Sequence, residues 1–336
     1  MRLATWNVEW FNSLFDDAGH LLDDAGWSGR WNITRAAQTA ALGAVFRALN
    51  ADAVMVIEAP DTSRGRDGGR ALERFAQAFG LRARRALLGF ANETQQEIAF
   101  LYDPDVMTAC HAPGGRAFGV RGARDDPRFD GVFHIDLDVD AAPESVVWSK
   151  PPLEVLARVA GRDLRLIGVH AKSKAPHGAT SDRDAMRIAI ENRRKQLAQC
   201  IWLRKRVQGH LDRGEALIVL GDFNDGPGLD VYERLFGRSG VEIVRGEGGV
   251  AELFDPSLGA DDDPTTARFW QRHEDRWLEA LLDFVMVSPG LAALGPVWRI
   301  WHPLRDPLLR DDPELCRALL DASDHFPVTL DFDLGA

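Results

Sequence analysis

No stretch of this 336-residue sequence approaches the run of about eighteen apolar residues that a membrane-spanning helix needs. The N-terminus also lacks the charged-then-apolar plan of a signal peptide. It begins at once with a strand-like run, Met1-Arg2-Leu3-Ala4-Thr5-Trp6-Asn7, so the expectation is a cytoplasmic protein without a membrane span. Cysteine is scarce. Cys110, Cys200 and Cys316 are odd in number, far apart and outside any paired metal-ligand spacing, which points to reduced, buried thiols and away from a disulfide framework or a zinc site. Positive charge is in deficit as well, with a net charge of −11. This argues against a globally basic surface that coats nucleic acid, while leaving room for a basic groove on an acidic body. There is no fixed-period repeat, no low-complexity tract and no clear domain boundary, so residues 1–336 are read as a single domain.

What is present is an alternation of short apolar, β-branched runs with helical patterns, as expected of an α/β or layered α+β protein. The strand candidates are Leu3 to Thr5, Ala53 to Ile57, Glu97 to Tyr102, Leu153 to Val159, Leu164 to Val169, Ala216 to Leu220, Phe284 to Val287 and Val328 to Phe332. Thr34 can cap a helix whose Leu42, Val45, Phe46 and Leu49 share a face. Leu72, Phe75, Ala76 and Phe79 mark a second helix, ending at Gly80. A longer helix is expected from Ser181, its N-cap, toward Val207 before Gly209, and another from Asp312-Pro313. Ala112 to Gly131 and Glu242 to Thr266 read as long surface loops.

The apolar runs repeatedly stop at polar residues: Asn7, Glu58, His170, Asp222 with Asn224, and the pair Asp324-His325 just before the last run. Each alone reads as a loop position or a helix cap. Together they form a set that phosphate ester hydrolysis can use, since that reaction needs a Lewis acid, a water held in line and donors for transition-state charge. Glu58 and Asp324, with the amide oxygen of Asn7, are hard oxygen ligands suited to Mg²⁺, for which Mn²⁺ can substitute.

The motifs carrying these residues are Thr5-Trp6-Asn7-Val8, Val56-Ile57-Glu58, Gly168-Val169-His170-Ala171-Lys172-Ser173-Lys174, Gly221-Asp222-Phe223-Asn224-Asp225, Leu282-Asp283-Phe284-Val285 and Ser323-Asp324-His325-Phe326-Pro327. In order and spacing they resemble the endonuclease/exonuclease/phosphatase superfamily, the deoxyribonuclease I-like group. The resemblance implies a two-sheet β-sandwich flanked by helices, with the site at one end. It further implies that Glu58 binds the metal with Asn7 and Asp324 beside it, that Asp222 orients or deprotonates the attacking water, and that Asn224 holds water and phosphate. His325 and His170 become phosphate donors, and Asp283 fixes the ring of His325 and raises its pKa. Three departures are noted. Ile57 stands where Gln is common, His170 stands where abasic-site enzymes carry Tyr, and Lys150 in Trp148-Ser149-Lys150-Pro151-Pro152 stands where bacterial members carry Arg.

The implied activity is a metal-dependent phosphoesterase, foremost a nuclease-like phosphodiesterase acting on DNA or RNA. A phosphatase or phosphodiesterase of a small metabolite or lipid head group is the alternative, and a catalytically silent phosphate-binding module the reading from another class. Lys172 and Lys174 share the face of His170 if its strand continues, and could grip phosphate. The helix after Ser181 carries eight basic residues between Asp182 and Arg206. The plain reading is a solvated face, and the alternative is a phosphate-backbone surface led by Arg187 and Arg193. Trp27, Trp31, Trp270 and Trp277 are read as packing residues before base-stacking ones. His20, His111, His134, His177, His210, His273 and His302 have no matched partner spacing. The oligomeric state is left open.

Overall fold

The computed structural model describes residues 1–63, 65–136, 144–176, 178–227, 237–246, 252–260, 263–271 and 275–334. His177 and His273 lie outside the described residues. Fifteen strands run in chain order among the described residues: β1 Arg2–Asn7, β2 Ala53–Ala59, β3 Arg85–Leu88, β4 Glu97–Tyr102, β5 Met107–His111, β6 Phe133–Ile135, β7 Glu144–Val146, β8 Leu153–Val159, β9 Arg162–His170, β10 Leu217–Asp222, β11 Ala267–Gln271, β12 Arg276–Ala280, β13 Asp283–Val287, β14 Val297–Ile300 and β15 Val328–Asp331. The α-helices among the described residues are α1 Arg35–Leu49, α2 Gly68–Ala78, α3 Asp182–Asp212, α4 Gly240–Arg245, α5 Pro289–Ala292 and α6 Pro313–Ala322.

Two mixed sheets carry the fold, one ordered β14-β15-β1-β2-β4-β3 and the other β13-β10-β9-β8-β5. Ala53 to Ile57 is a continuous apolar run because both faces of β2 are covered. Ala53, Met55 and Ile57 meet residues of the second sheet such as Val155, Leu166, Leu220 and Val285, whereas Val54 and Val56 face the helices α1 and α2. The outer face of the second sheet, with Ile167, Val169, Val219 and Phe284, is covered by Cys200, Trp202, Leu203 and Val207 of α3. The expected sandwich flanked by helices is therefore formed, with apolar area buried between the sheets and under the helices on both outer sides.

The helix caps are those the sequence suggests. Thr34 accepts from the Ala37 N–H at 3.3 Å and Ser181 from the Asp184 N–H at 3.2 Å. Three expectations need correction. α3 continues through Gly209 to Asp212, because Val207 and His210 are buried and packing outweighs the propensity cost of one glycine. Glu242 to Arg245 is helical, not loop, starting from a capping box between Ser239 and Glu242. Cys110 is exposed, while Cys200 is buried and Cys316 half-buried, all three free. The 112–131 segment is a loop as expected, with one 3-10 turn at Gly119–Arg121. It is tied down by Arg206, which pairs with buried Glu154 and reaches Asp126 at 2.8 Å and the Pro127 carbonyl at 3.1 Å. No helix among the described residues is long and apolar enough to cross a membrane.

Candidate active site

The strands of both sheets deliver their terminal polar residues to one end of the sandwich. In the second sheet the register places Asp222 of β10 beside His170 of β9 and beside Asp283 of β13, so three functional side chains share a row. Gly221 precedes Asp222 at φ 136°, where an added Cβ would collide with the Val169 backbone. Glycine is needed there for the strands to stay this close. In the first sheet Asn7 ends β1. Glu58 sits on a bulge between Ile57 and Ala59 with φ 62°, a left-handed conformation that is costly for a non-glycine residue. The bulge takes Glu58 out of the ladder, and its Oε2 accepts the Trp10 N–H at 2.8 Å.

Asp222 is the hub. Its carboxylate accepts from Asn7 Nδ2 at 3.0 Å across the two sheets, from the Asn224 N–H at 2.7 Å and from Asn224 Nδ2 at 3.1 Å. Burial, opposed by His325 and reinforced by Asp283, pushes its pKa up to about 6. Asp283 Oδ2 is 2.7 Å from His325 Nδ1, and His325 Nε2 is 4.0 Å from Asp222 Oδ2. Burial alone would discharge His325. Asp283 and Asp222 overcome it and hold the imidazolium well above its usual pKa. His170 behaves in the opposite way: burial, then Lys150 and His325, push its pKa well below the usual value. Its Nε2 lies 3.1 Å from Lys150 Nζ, 3.6 Å from Asp222 Oδ2 and 3.9 Å from Glu58 Oε1. A neutral imidazole beside a lysine is the consistent arrangement, because two cations at that distance repel.

The Asp324-His325 segment is fixed to β1. Ser323 Oγ donates to the Asn7 carbonyl at 2.7 Å and accepts from the His325 N–H at 3.0 Å, and Trp6 Nε1 donates to the His325 carbonyl at 2.9 Å. Asp324 lies in an acidic corner. Burial first, then Glu9, raises its pKa to about 8, with Glu58 adding to the rise. Glu9 accepts the Asp324 N–H at 3.1 Å and pairs with Arg30.

The donor set of this corner suits a divalent cation: Glu58, Glu9 and Asp324 line the cleft as hard oxygen groups, Glu9 and Glu58 both raise the Asp324 pKa, and Asn7 Oδ1 adds a neutral oxygen donor that retains a lone pair after accepting the Glu9 N–H at 3.1 Å. Among the described residues, the side chains whose ligand atoms gather within 4.8 Å of one another are Asp222, Asp283 and His325. There, however, the His325–Asp283 hydrogen bond accounts for the proximity and occupies the ring nitrogen.

All eight motif residues therefore meet at one place, and seven of them line a cleft of about 880 Å³, with Asp283 behind His325. Lys172, Lys174 and Arg193 line it too. Arg187 does not line it: its guanidinium pairs with Asp184 and Glu191 of its own helix, each at 2.8 Å. Neither reading of the basic run holds along its whole length. Arg193 and Arg206 are buried, Arg204 reaches the Val244 and Arg245 carbonyls, and Arg194 pairs with Glu144. One face of α3 acts instead as a splint. Gln196 Nε2 donates to the Phe223 and Asn224 carbonyls, each at 3.0 Å, and Gln199 accepts the Lys172 N–H at 3.0 Å while donating to the Val147 carbonyl at 3.1 Å. Arg193 completes the row at 3.7 Å from buried Asp225.

Sequence reasoning missed Glu9, and left Lys150, Trp10 and Arg30 outside the site. The i, i+2 step from Asn7 to Glu9 was the available signal, because alternate residues leaving a strand tend to the same face. The tryptophans also depart from expectation. Trp27, Trp31, Trp270 and Trp277 are all exposed.

A sequence model of the Endonuclease/Exonuclease/phosphatase family matches residues 4–325. No curated protein sequence matches the chain. The fold is similar to that of a 3'-5' exonuclease (NExo) from Neisseria meningitidis, with 17% identity, a TM-score of 0.51, and 99% of this chain and 100% of that one covered. It is similar to an AP endonuclease from Archaeoglobus fulgidus, at 13% identity and TM-score 0.51 over 99% and 100% of the two chains. It is also similar to TDP2 from C. elegans, at 14% identity and TM-score 0.52 over 98% of this chain and 74% of that one. At these identities the structural likeness establishes the deoxyribonuclease I-like fold. The match to the family model, which spans nearly the whole chain and takes in the motif residues gathered in the cleft, places the protein in the endonuclease/exonuclease/phosphatase family of metal-dependent phosphoesterases.

Proposed function

We propose that the chain works as one domain and is a Mg²⁺-dependent phosphodiesterase that cleaves nucleic acid by in-line attack of water. The observation that carries this reading is the row Asp283–His325–Asp222, in which a buried charged pair faces a carboxylate of pKa about 6. Asp222 is the base: it takes the proton of the attacking water while the water oxygen bonds phosphorus and the P–O bond to the leaving oxygen breaks. Asn224 and Asn7 hold its carboxylate in place. His325, kept protonated by Asp283, donates from Nε2 to a phosphoryl oxygen, where donors aimed at developing charge are most effective. Lys150 adds positive charge on the His170 side of the cleft, and neutral His170 orients it. Glu58 and Asp324, with Asn7 and Glu9 alongside, would hold a divalent cation, which would supply Lewis-acid charge to the phosphoryl oxygens. Mn²⁺ is expected to substitute.

A silent phosphate-binding module leaves unexplained why every motif residue is present and in contact. The small phosphate ester remains the competing substrate. A hydrolysis panel with Mg²⁺ or Mn²⁺ tests the proposal, spanning single-stranded and duplex DNA, RNA, bis(4-nitrophenyl) phosphate, inositol phosphates and sphingomyelin. Turnover of a nucleic acid is expected. Rapid hydrolysis of a small phosphate ester with no nucleic acid cleaved would replace the nuclease with a metabolite phosphoesterase.

A further inference from the structure

Between β1 and α1 the chain makes an excursion that neither sheet requires. Its segment Trp27 to Thr34 closes on itself through a bridge between those two residues and lies on Trp10. The contact is close enough to demand glycine: a Cβ on Gly29 would collide with the Cβ of Trp10. Trp10 in turn lines the cleft, and its N–H holds Glu58. The Gly29 N–H also donates to Ser13 Oγ at 3.0 Å, so the segment is anchored on both sides of Trp10.

Trp27 and Trp31 flank Gly29 by two residues on either side and are 66% and 80% exposed, with Trp10 at 42%. Trp10 lines the cleft, and the segment laid over it carries the exposed rings of Trp27 and Trp31 beside that end of the cleft. Of the arginines on and next to this segment, Arg30 pairs with Glu9 and reaches the Leu320 carbonyl, and Arg35 holds both oxygens of Asp24 at 2.8 Å. What the shelf offers a ligand is aromatic area, while Lys150 and Lys172 line the cleft itself; Lys174 lines it too but pairs with buried Asp225.

We propose that Trp27 and Trp31, carried on the segment laid over Trp10, form a stacking shelf for unpaired nucleobases, so that the substrate is single-stranded nucleic acid. This rests on the nuclease reading and narrows it. A strand with its phosphates at the cleft lysines and its bases on the shelf uses both surfaces. In a duplex the base faces are covered by their neighbours and cannot reach a ring, and the net charge of −11 further disfavours a long duplex. Trp270 and Trp277 are exposed too, but they are a cross-strand pair on the β11–β12 hairpin, 5.3 Å apart, and Arg268 stands 3.8 Å over the Trp277 ring. The residues of these two strands that line the cleft are Phe269, Gln271, Leu278 and Ala280, on the alternate positions, so this second pair serves as a control.

The test is steady-state kinetics with Mg²⁺ on three probes: a twelve-nucleotide oligothymidylate, a duplex of the same length, and bis(4-nitrophenyl) phosphate. In the unaltered protein kcat/KM for the single strand should exceed that for the duplex about tenfold or more. The double variant W27A/W31A should raise KM for the oligothymidylate roughly tenfold, a size set by base–aromatic stacking, with kcat and hydrolysis of the nitrophenyl diester unchanged. W27Y/W31Y should restore most of it, and Trp270→Ala should leave it unmoved. Equal rates on duplex and single strand would overturn the shelf, as would a loss in W27A/W31A shared equally by the nitrophenyl diester. So would turnover of sphingomyelin vesicles that falls in the same variant, which would assign the rings to a lipid surface. Failure of the nuclease reading itself has a separate signature, hydrolysis of the nitrophenyl diester with neither nucleic acid cleaved.

Discussion

At the scale of single residues, the opposite behaviour of His170 and His325 shows how burial and charge divide labour between identical side chains. His325 has Asp283 and Asp222 against it and stays charged; His170 has Lys150 and stays neutral. Replacing Asp222 with Asn, or His325 with Ala, should lower kcat on the order of 10²- to 10³-fold in folded protein, as losing a transition-state donor does elsewhere. The rate should fall as pH drops below about 6, because Asp222 then holds the proton it needs to accept. It should fall again on the alkaline side once His325 loses its proton. Asp283→Asn removes the first charge that raises His325 and one that also raises Asp222, so the alkaline and acid limbs should both move to lower pH. A pH–rate profile of the two proteins decides it. Asp324 gives a stability prediction. With a folded pKa of about 8 against an ordinary value near 4, the folded chain holds a proton that the unfolded chain has released, so stability falls as pH rises through that window. Asp324→Asn should therefore raise Tm in metal-free buffer at pH 8 and diminish the further rise that added Mg²⁺ gives to the unaltered protein. Unchanged Tm in both conditions would remove Asp324 from the acidic corner.

At the scale of elements, α3 is better understood through what it holds than through its charge. Gln196→Leu leaves the buried Phe223 and Asn224 carbonyls without their donor, which should cost about 1–3 kcal/mol of stability. It should also lower kcat with little change in KM, because the Asp222–Asn224 turn loses its support. An unaltered kcat in this variant would show that β10 alone positions the turn. The same helix shows where sequence reasoning stops. Its start at Ser181 was legible from the capping pattern, and β1, β2, β4, β8, β9, β10, β13 and β15 from their apolar runs. The short strands β3, β5, β6, β7, β11, β12 and β14 were not, because runs as short as Arg85–Leu88 and Met107–His111, neither of them continuously buried, owe their strand state to a neighbour found only in three dimensions. The basic run of α3 was visible, but not that Glu154, Glu144 and Asp225 come from distant strands and turns to meet it. The eight motif residues could be read because each lies at, or within a few residues of, the end of a buried strand. Glu9 and Lys150 could not be placed, since their roles depend on Asp324 and His170, which lie far from them in sequence.

At the scale of the whole molecule, the proposed nuclease reading on a body of net charge −11 confines phosphate contacts to the cleft, so binding of nucleic acid should depend on salt only weakly. With Lys150 and Lys172 each meeting one phosphate of a single strand, the logarithmic slope should be about −1.4, and Lys172→Ala should flatten it by about 0.7. Arg187→Ala should leave it unchanged, since that guanidinium is already paired on the helix surface. Titrations of binding against salt measure all three. The alignment of His170, Asp222 and Asp283 across β9, β10 and β13 has a wider consequence. Strand spacing of about 4.8 Å is a property of the peptide group and not of any side chain, so the sheet acts as a ruler that mutation cannot stretch. Loops such as 112–131 can lengthen, shorten or change composition while the marks on that ruler keep their separation. The vulnerable quantity is residue number within a strand: one residue inserted in β10 ahead of Asp222 would turn its carboxylate to the opposite face. Descent in such a lineage should tolerate near-total replacement of letters and almost no change of count.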